Sequence, residues 1–329
     1  MFFCPIPEVS HVKTSDLKAC RSKLADHYTR TATVPTSVWS SICQVKLDKI
    51  YTRLSWVEKE QTPTGTSQSK LTDYGELFTA DENGVVPKRI LVQGETGIGK
   101  TTFVKKLALD WAKLVEGKDV VNEEMAAPSK CGGGEKISRE DHVGVSQAES
   151  SQTRKQDDSR DSRIDALKKF QLIIVVPLKY VSKCQTFREV LNRSRLIPRD
   201  EESLMVDLFT YVCNNQEKVL LVFDGYDEYR TGSVAEAQFG PRITSPICEI
   251  FHRNVLRGCT VLVTTRSSRA DELQGSADKH AVITGFDKED KLDFMSKVLD
   301  NSRKVTELDL FLQTKEVSDL ARVPLLNLF

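Results

Sequence analysis

Apolar residues fall along this chain in two spacings. The first is the short unbroken run: KRILVQ at Lys88–Gln93, LIIVVPL at Leu172–Leu178, VLLVF at Val219–Phe223, TVLVTT at Thr260–Thr265, and a weaker AVIT at Ala281–Thr284. Runs this short, without polar alternation, predict strands buried on both faces. The second is the helical repeat between them. In KTTFVKKLALDWAKLVEG, Phe103, Leu107, Trp111 and Leu114 share one face, with Gly117 placed to end the helix. Thr186 and Glu189 form a capping pattern for a helix through Leu191, and Ser203–Cys213 predicts another. Ser245-Pro246 opens a helix that ends before Gly258, and Asp287 with Asp290 caps one carrying Leu292, Met295 and Leu299. The remainder from Thr306 reads as helical. Strands alternating with helices predict an α/β domain built on a parallel sheet.

The flanks are less regular. Ser15–Tyr28 sets Leu17 and Leu24 on one helical face, and Val38, Ile42, Val45, Ile50 and Leu54 follow at mostly helical spacing. Residues 1–50 are therefore expected to form a helical extension. QTPTGTSQSKLTDYG, from Gln61, is turn-rich and expected to be loop. From about Gly117 to Arg163, Gly, Ser, Lys, Glu, Asp and Gln crowd out apolar residues, and a disordered insert is expected there.

Composition removes some classes of function. The 47 basic and 47 acidic residues cancel, so no strongly basic surface for nucleic acid is expected. Eight cysteines are scattered without CxxC spacing, which favours reduced thiols over disulfides or zinc. The opening MFFCPIP lacks the basic and apolar regions of a signal peptide, and the apolar runs are too short to span a bilayer. A cytoplasmic location is expected.

Three segments carry chemistry. GETGIGKT, Gly94–Thr101, matches the Walker A phosphate loop G-x-x-x-x-G-K-[ST] between a predicted strand and a predicted helix. Gly94, Gly97 and Gly99 allow a tight turn whose N–H groups face phosphate oxygens, and the helix start adds its positive end. Lys100 is suited to the β- and γ-phosphates, and the Thr101 hydroxyl is a hard ligand for Mg²⁺. The candidate nucleotide-binding segment is Gly94, Glu95, Thr96, Gly97, Ile98, Gly99, Lys100, Thr101 and Thr102. Next, DGYDE follows an apolar strand, where charge must be paired or bind a cation. Asp224 fits the Walker B role of holding Mg²⁺, and Asp227 or Glu228 that of orienting or deprotonating a water. A solvated acidic turn is the alternative. Third, Arg266 ends TVLVTTR with a rigid fork of donors suited to a γ-phosphate, with a plain surface arginine as the alternative. All three lie at the carboxyl ends of predicted strands, where open α/β sheets bind ligands.

GETGIGKTT with LALDWA, FDGYDEY, VLVTTRS, ARVPLLNLF at Ala321–Phe329 and KIYTRLSWVE at Lys49–Glu58 together resemble the NACHT family of signalling NTPases, the nucleotide-binding module of NOD-like receptors. The likeness covers about residues 45–329. It implies a P-loop NTPase sheet of order 5-1-4-3-2 with flanking helices and a small C-terminal helical domain. The nucleotide-binding domain would span 51–285, and the small helical domain would begin at 286. It also implies that Pro324 packs near the adenine and that Lys49–Glu58 lines the base. The implied ligands are ATP or ADP with Mg²⁺. The implied behaviour is slow hydrolysis, homo- or hetero-oligomerisation with other NACHT proteins in the ATP form, and innate immune or death signalling. Relatives of this kind continue into a winged-helix domain and repeats. A chain ending five residues after Pro324 is thus expected to be truncated after the first helical domain. The sequence style suggests the expanded invertebrate repertoires. A non-catalytic scaffold and a motor-type ATPase on the same core are the alternatives. No NKxD motif points to a GTPase, and no acceptor signature points to a small-molecule kinase.

Overall fold

The four strongest apolar runs lie side by side in one sheet. In the computed structural model, which describes residues 12–37, 40–62, 65–126, 162–198, 200–229, 245–298, 305–307, 309–310 and 323, they become β5 (Arg89–Gln93), β6 (Leu172–Pro177), β7 (Val219–Asp224) and β8 (Thr260–Thr265). Every residue of β7 and β8 is buried, so both faces are covered, as an unalternating apolar run requires. β9 (Lys279–Gly285) is the fifth parallel strand. The hairpin of β3 (Ser55–Thr62) and β4 (Gly65–Leu71) joins antiparallel at its outer side, and the sheet order is β4-β3-β9-β5-β8-β7-β6. Numbered along the chain from β5, the parallel strands lie in the order 5-1-4-3-2, which matches the resemblance.

Helices flank this sheet. α1 (Thr14–Thr31) packs on α3 (Lys100–Ala126), and α3 packs against β6 and β7. α4 (Phe187–Ser194) lies on β6 and touches α5 (Glu202–Asn214). α6 (Pro246–Phe251), α7 (Ser267–Gln274) and α8 (Lys288–Val298) follow β7, β8 and β9 in turn. The caps are those read from the sequence. Thr186 Oγ1 accepts from the Glu189 amide, Ser245 Oγ from the Cys248 amide, and Asp287 Oδ1 from the Asp290 amide. β6 has an open edge, and α1 covers part of it. The buried Tyr28 hydroxyl donates to Ile173 O and accepts from Val175 N, which satisfies two edge groups that would otherwise lack partners. No helix among the described residues is long and apolar enough to cross a membrane.

Three local expectations are corrected. The helical spacing over Val38–Leu54 yields β2 (Ser40–Lys46) and a single turn, α2 (Leu47–Ile50). β2 pairs antiparallel with β1 (Thr33–Ser37), Val34 facing Val45, and this partner overrides the spacing in a stretch rich in β-branched residues. The turn-rich segment from Gln61 belongs to the β3–β4 hairpin. Its outer strand is polar up to the buried Leu71, so alternation carries little apolar signal there. Gly117 does not end its helix: α3 continues to Ala126, and a Cβ at Gly117 would meet nothing. The expected insert therefore starts within a helix. Its residues 127–161, the expected helix beyond Thr306 apart from scattered positions, and Pro324 lie outside the described residues.

Candidate nucleotide site

The loop between β5 and α3 is held from three sides. The Gly94 amide donates to Thr265 O on β8, 3.1 Å away. Gly97 and Gly99 take positive φ of 75° and 106°, a region that L side chains avoid. A Cβ at Gly94 would stand 2.8 Å from Ile98 Cγ2, and one at Gly99 3.1 Å from Leu54 Cδ1. The backbone can therefore close up here only with glycine. Lys100 curls over the loop, its Nζ 2.6 Å from Gly94 O and 3.0 Å from Glu95 O. Burial lowers the Lys100 pKa, and the Asp227 carboxylate opposes that shift. Glu95 accepts from Ser267 Oγ, which also accepts from Gln93 Nε2 at 2.8 Å, tying the loop to the start of α7. Thr96 and Thr102 line the cavity beside the loop, and Ile98 turns inward and is buried.

Facing this loop, Asp224 ends β7 with its carboxylate almost wholly buried. Oδ1 accepts from Thr264 Oγ1 at 2.6 Å, and Oδ2 from Thr101 Oγ1 at 2.9 Å. The fold thus joins the first turn of α3 to the end of β7 across 123 residues of sequence. Gly225 turns the chain at φ 81°, its amide donating to Thr264 Oγ1, and a short turn, Tyr226–Glu228, follows. Asp227 takes Arg266 at both oxygens: the Arg266 amide at 3.2 Å and Nε at 2.7 Å. Glu228 is exposed, lines the cavity and accepts no hydrogen bond among the described residues. The structure therefore gives the two neighbouring acids different surroundings.

The cavity measures about 350 Å³. Its lining divides into polar groups, with Lys100, Thr101, Asp224, Glu228 and Arg266 among them, and an apolar wall that includes Val34, Pro35, Leu54, Phe286 and Phe294. A polyanion joined to a flat apolar group fits this division. Sequence reasoning found Leu54, within Lys49–Glu58, but missed β1 and the two phenylalanines. Phe286 and Phe294 pack as a tilted pair with centroids 5.2 Å apart, and Lys105 Nζ donates to Thr33 O at 2.8 Å, which fixes β1 against α3. No local motif marks these residues; only the β1–β2 pairing and the cap of α8 bring them in.

The NACHT domain family matches residues 159–302, which contain β6 to β9, the acidic turn and Arg266. This chain carries a NACHT domain. The phosphate loop precedes the matched span, and its strand β5 is nevertheless hydrogen-bonded between β8 and β9 in the domain's sheet. Among curated relatives, "Protein NLRC5" of Ictalurus punctatus is 31% identical over 122 residues, 34% of this chain and 7% of that protein. "NACHT, LRR and PYD domains-containing protein 1 homolog" of Danio rerio is 24% identical over 262 residues, 77% of this chain and 16% of that protein. "NACHT, LRR and PYD domains-containing protein 6" of Homo sapiens is 39% identical over 62 residues, 18% of this chain and 7% of that protein. The chain spans less than a fifth of the length of each of these three relatives. The likeness to NOD-like receptors is thus supported for their nucleotide-binding module.

Proposed function

We propose that the chain binds ATP and ADP with Mg²⁺ as the nucleotide module of a signalling switch of NOD-like receptor type, and that it hydrolyses ATP slowly. The observation that carries this is the contact of Thr101 Oγ1 with Asp224 Oδ2, beside Lys100 at the head of α3. It sets two hard oxygen donors side by side next to a loop whose Gly94 and Gly99 leave no room for a Cβ beside Ile98 and Leu54. The donor set suits Mg²⁺ held by one hydroxyl and one carboxylate together with phosphate oxygens and water. When bound, the ion would neutralise charge on the β- and γ-phosphates.

This chain's own residues do the rest. Gly94 shapes the start of the loop, its amide going to Thr265 O, and Glu95, Thr96, Gly97, Ile98, Gly99, Lys100, Thr101 and Thr102 are assigned to the phosphates through backbone amides and the Lys100 ammonium. The apolar wall takes the base, and Pro324 is retained as its neighbour from the resemblance. Glu228 is assigned to the water, as acceptor of its proton. Asp227 is assigned to hold Arg266. Asp227 holds Arg266 through its backbone amide and Nε, which leaves the terminal nitrogens of the guanidinium to donate to a γ-phosphate oxygen. Nucleotide-dependent self-association, innate immune signalling and a cytoplasmic location belong to the same proposal, supported by the family match and the relatives' domain composition.

Isothermal titration of the full chain with ATP and ADP, with Mg²⁺ or with EDTA, tests it. Binding of both nucleotides, with ATP strengthened by Mg²⁺, is expected. Absence of any binding rejects the proposal.

A further inference from the structure

The acidic turn carries Asp227 and Glu228 on a backbone with little stiffness of its own. It leaves β7 through Gly225 in the left-handed region and spans only Tyr226–Glu228. Its front is tied by Arg266 to Asp227. Its back is held by a group of residues to which no role has yet been given.

Arg269, in the first turn of α7, sends its guanidinium behind the acidic turn. Nη1 donates to Tyr226 O at 3.1 Å and to Tyr229 O at 2.9 Å, the carbonyls that bracket Asp227 and Glu228. The guanidinium also lies 4.4 Å from the centroid of the Tyr226 ring. Nε and Nη2 meet the two oxygens of Glu272, each at 2.8 Å, in a bidentate pair. Glu272 Oε2 in turn accepts from the Tyr226 hydroxyl at 2.9 Å, and that hydroxyl lies 3.1 Å from Cys248 Sγ on α6. Tyr226 is buried, so its backbone and its phenol are both fixed, from two helices.

We infer that Arg269 and Glu272 are positioning residues that lock the acidic turn to α7 and so present Glu228 to the cavity. Two physical points select a pair over a lone arginine. Nη1 serves both carbonyls of the turn while Nε and Nη2 take Glu272, so the planar fork joins turn and helix at once, which a single ammonium would not. Glu272 balances the charge, so the clamp adds no net positive field beside Asp227 and Glu228. With Arg266 at the start of the same helix gripping Asp227, α7 holds the turn on both sides and the two move as one body. The inference rests on the assignment of Glu228 to the attacking water.

The test uses the full chain and the variants Arg269→Ala, Arg269→Lys and Glu272→Gln. Three quantities are measured: amide hydrogen exchange, ATP affinity by titration and single-turnover hydrolysis. In Arg269→Ala the Glu228 and Tyr229 amides, which donate to Gly225 O and Tyr226 O, should exchange at least about tenfold faster, while β7 amides stay unchanged. ATP affinity should stay within about threefold, and hydrolysis should fall at least about tenfold because the acid is misplaced rather than removed. Arg269→Lys should recover part of both effects, and Glu272→Gln, which keeps an acceptor for Tyr226, should fall between. Unchanged exchange at the turn overturns the inference, as does faster exchange with undiminished hydrolysis. Should Arg269→Ala lose protection everywhere, the two milder variants decide. A wild-type chain that binds ATP without hydrolysing it, or a Glu228→Gln variant at full rate, rejects the role of Glu228 instead, and the exchange data alone then judge the clamp.

Discussion

Asp224 is where structural and functional costs can be separated by substitution. Asp224→Ala removes the acceptor of two hydroxyls. Thr101 is exposed and regains water, at little cost. Thr264 has no exposed surface, so its hydroxyl proton is left without a partner while its oxygen still accepts from the Gly225 amide. An orphaned buried donor costs about 1–3 kcal/mol, so the variant should unfold several degrees below wild type. Asp224→Asn keeps the shape: its carbonyl can accept from Thr264 and its amide donate to the Thr101 oxygen, so stability should stay within about 1 kcal/mol. Neither variant offers a carboxylate to Mg²⁺. Thermal unfolding with ATP, in Mg²⁺ or in EDTA, reads both effects together. At about a hundredfold excess over Kd, bound ligand should raise wild-type stability by ~2.7 kcal/mol, and the part that needs Mg²⁺ should vanish in both variants. Equal stability of the Ala and Asn variants would refute the hydrogen-bond accounting. A wild-type Mg²⁺ increment in Asp224→Asn would refute the metal assignment.

Glu228→Gln should leave ATP affinity within about threefold and lower single-turnover hydrolysis by roughly 10²-fold or more, whereas Asp227→Asn, which weakens the hold on Arg266, should change the rate less; reversal of that order would return the water to Asp227. Arg89 is wholly buried and donates to the carbonyls of Lys88, Phe251, Leu256 and Cys259, and burial lowers its pKa to about 10. Arg89→Met should cost about 2–4 kcal/mol in denaturant unfolding through those orphaned carbonyls, and a loss under 1 kcal/mol would contradict it. Burial first, and then the neighbouring Asp287 carboxylate, raise the Asp290 pKa to about 6. The folded state then holds the extra proton between the unfolded value near 4 and that value. Its stabilisation is full below about pH 4 and lost as pH rises through 6, on the order of 1–3 kcal/mol relative to Asp290→Asn. A stability difference between the two proteins that does not change between pH 4 and 7 would contradict it.

Much of the sheet was legible because its strands carry local signals. β7 and β8 are buried on both faces, so they read as unbroken apolar runs, and the residues that end them are the polar ones the site brings together. What stayed hidden depends on distant partners. Val34 and Val45 face each other only because β1 finds β2, and no periodicity within Val38–Leu54 encodes that pairing. The β3–β4 hairpin has an outer strand that is polar up to Leu71, so its sequence reads as loop. Asp227 and Glu228 are adjacent and chemically alike; the position of Arg266 across the sheet end gives them different surroundings. Phe286 and Phe294 read as ordinary core residues until β1 and Leu54 close the other side of the cavity.

The measurement that tests the nucleotide site most directly is titration of ATP and ADP into wild type and Lys100→Ala. Lys100 reaches back over the loop to Gly94 O and Glu95 O, so it sits where phosphate charge would lie, and its removal spares every capping contact described above. Wild type should bind both nucleotides, and the variant should bind both at least about a hundredfold more weakly with its fold intact, since a charge-assisted contact in a half-buried site is worth about 1.5–3 kcal/mol and each phosphate adds to it. Equal affinity of wild type and variant for both nucleotides would contradict the assignment of this loop.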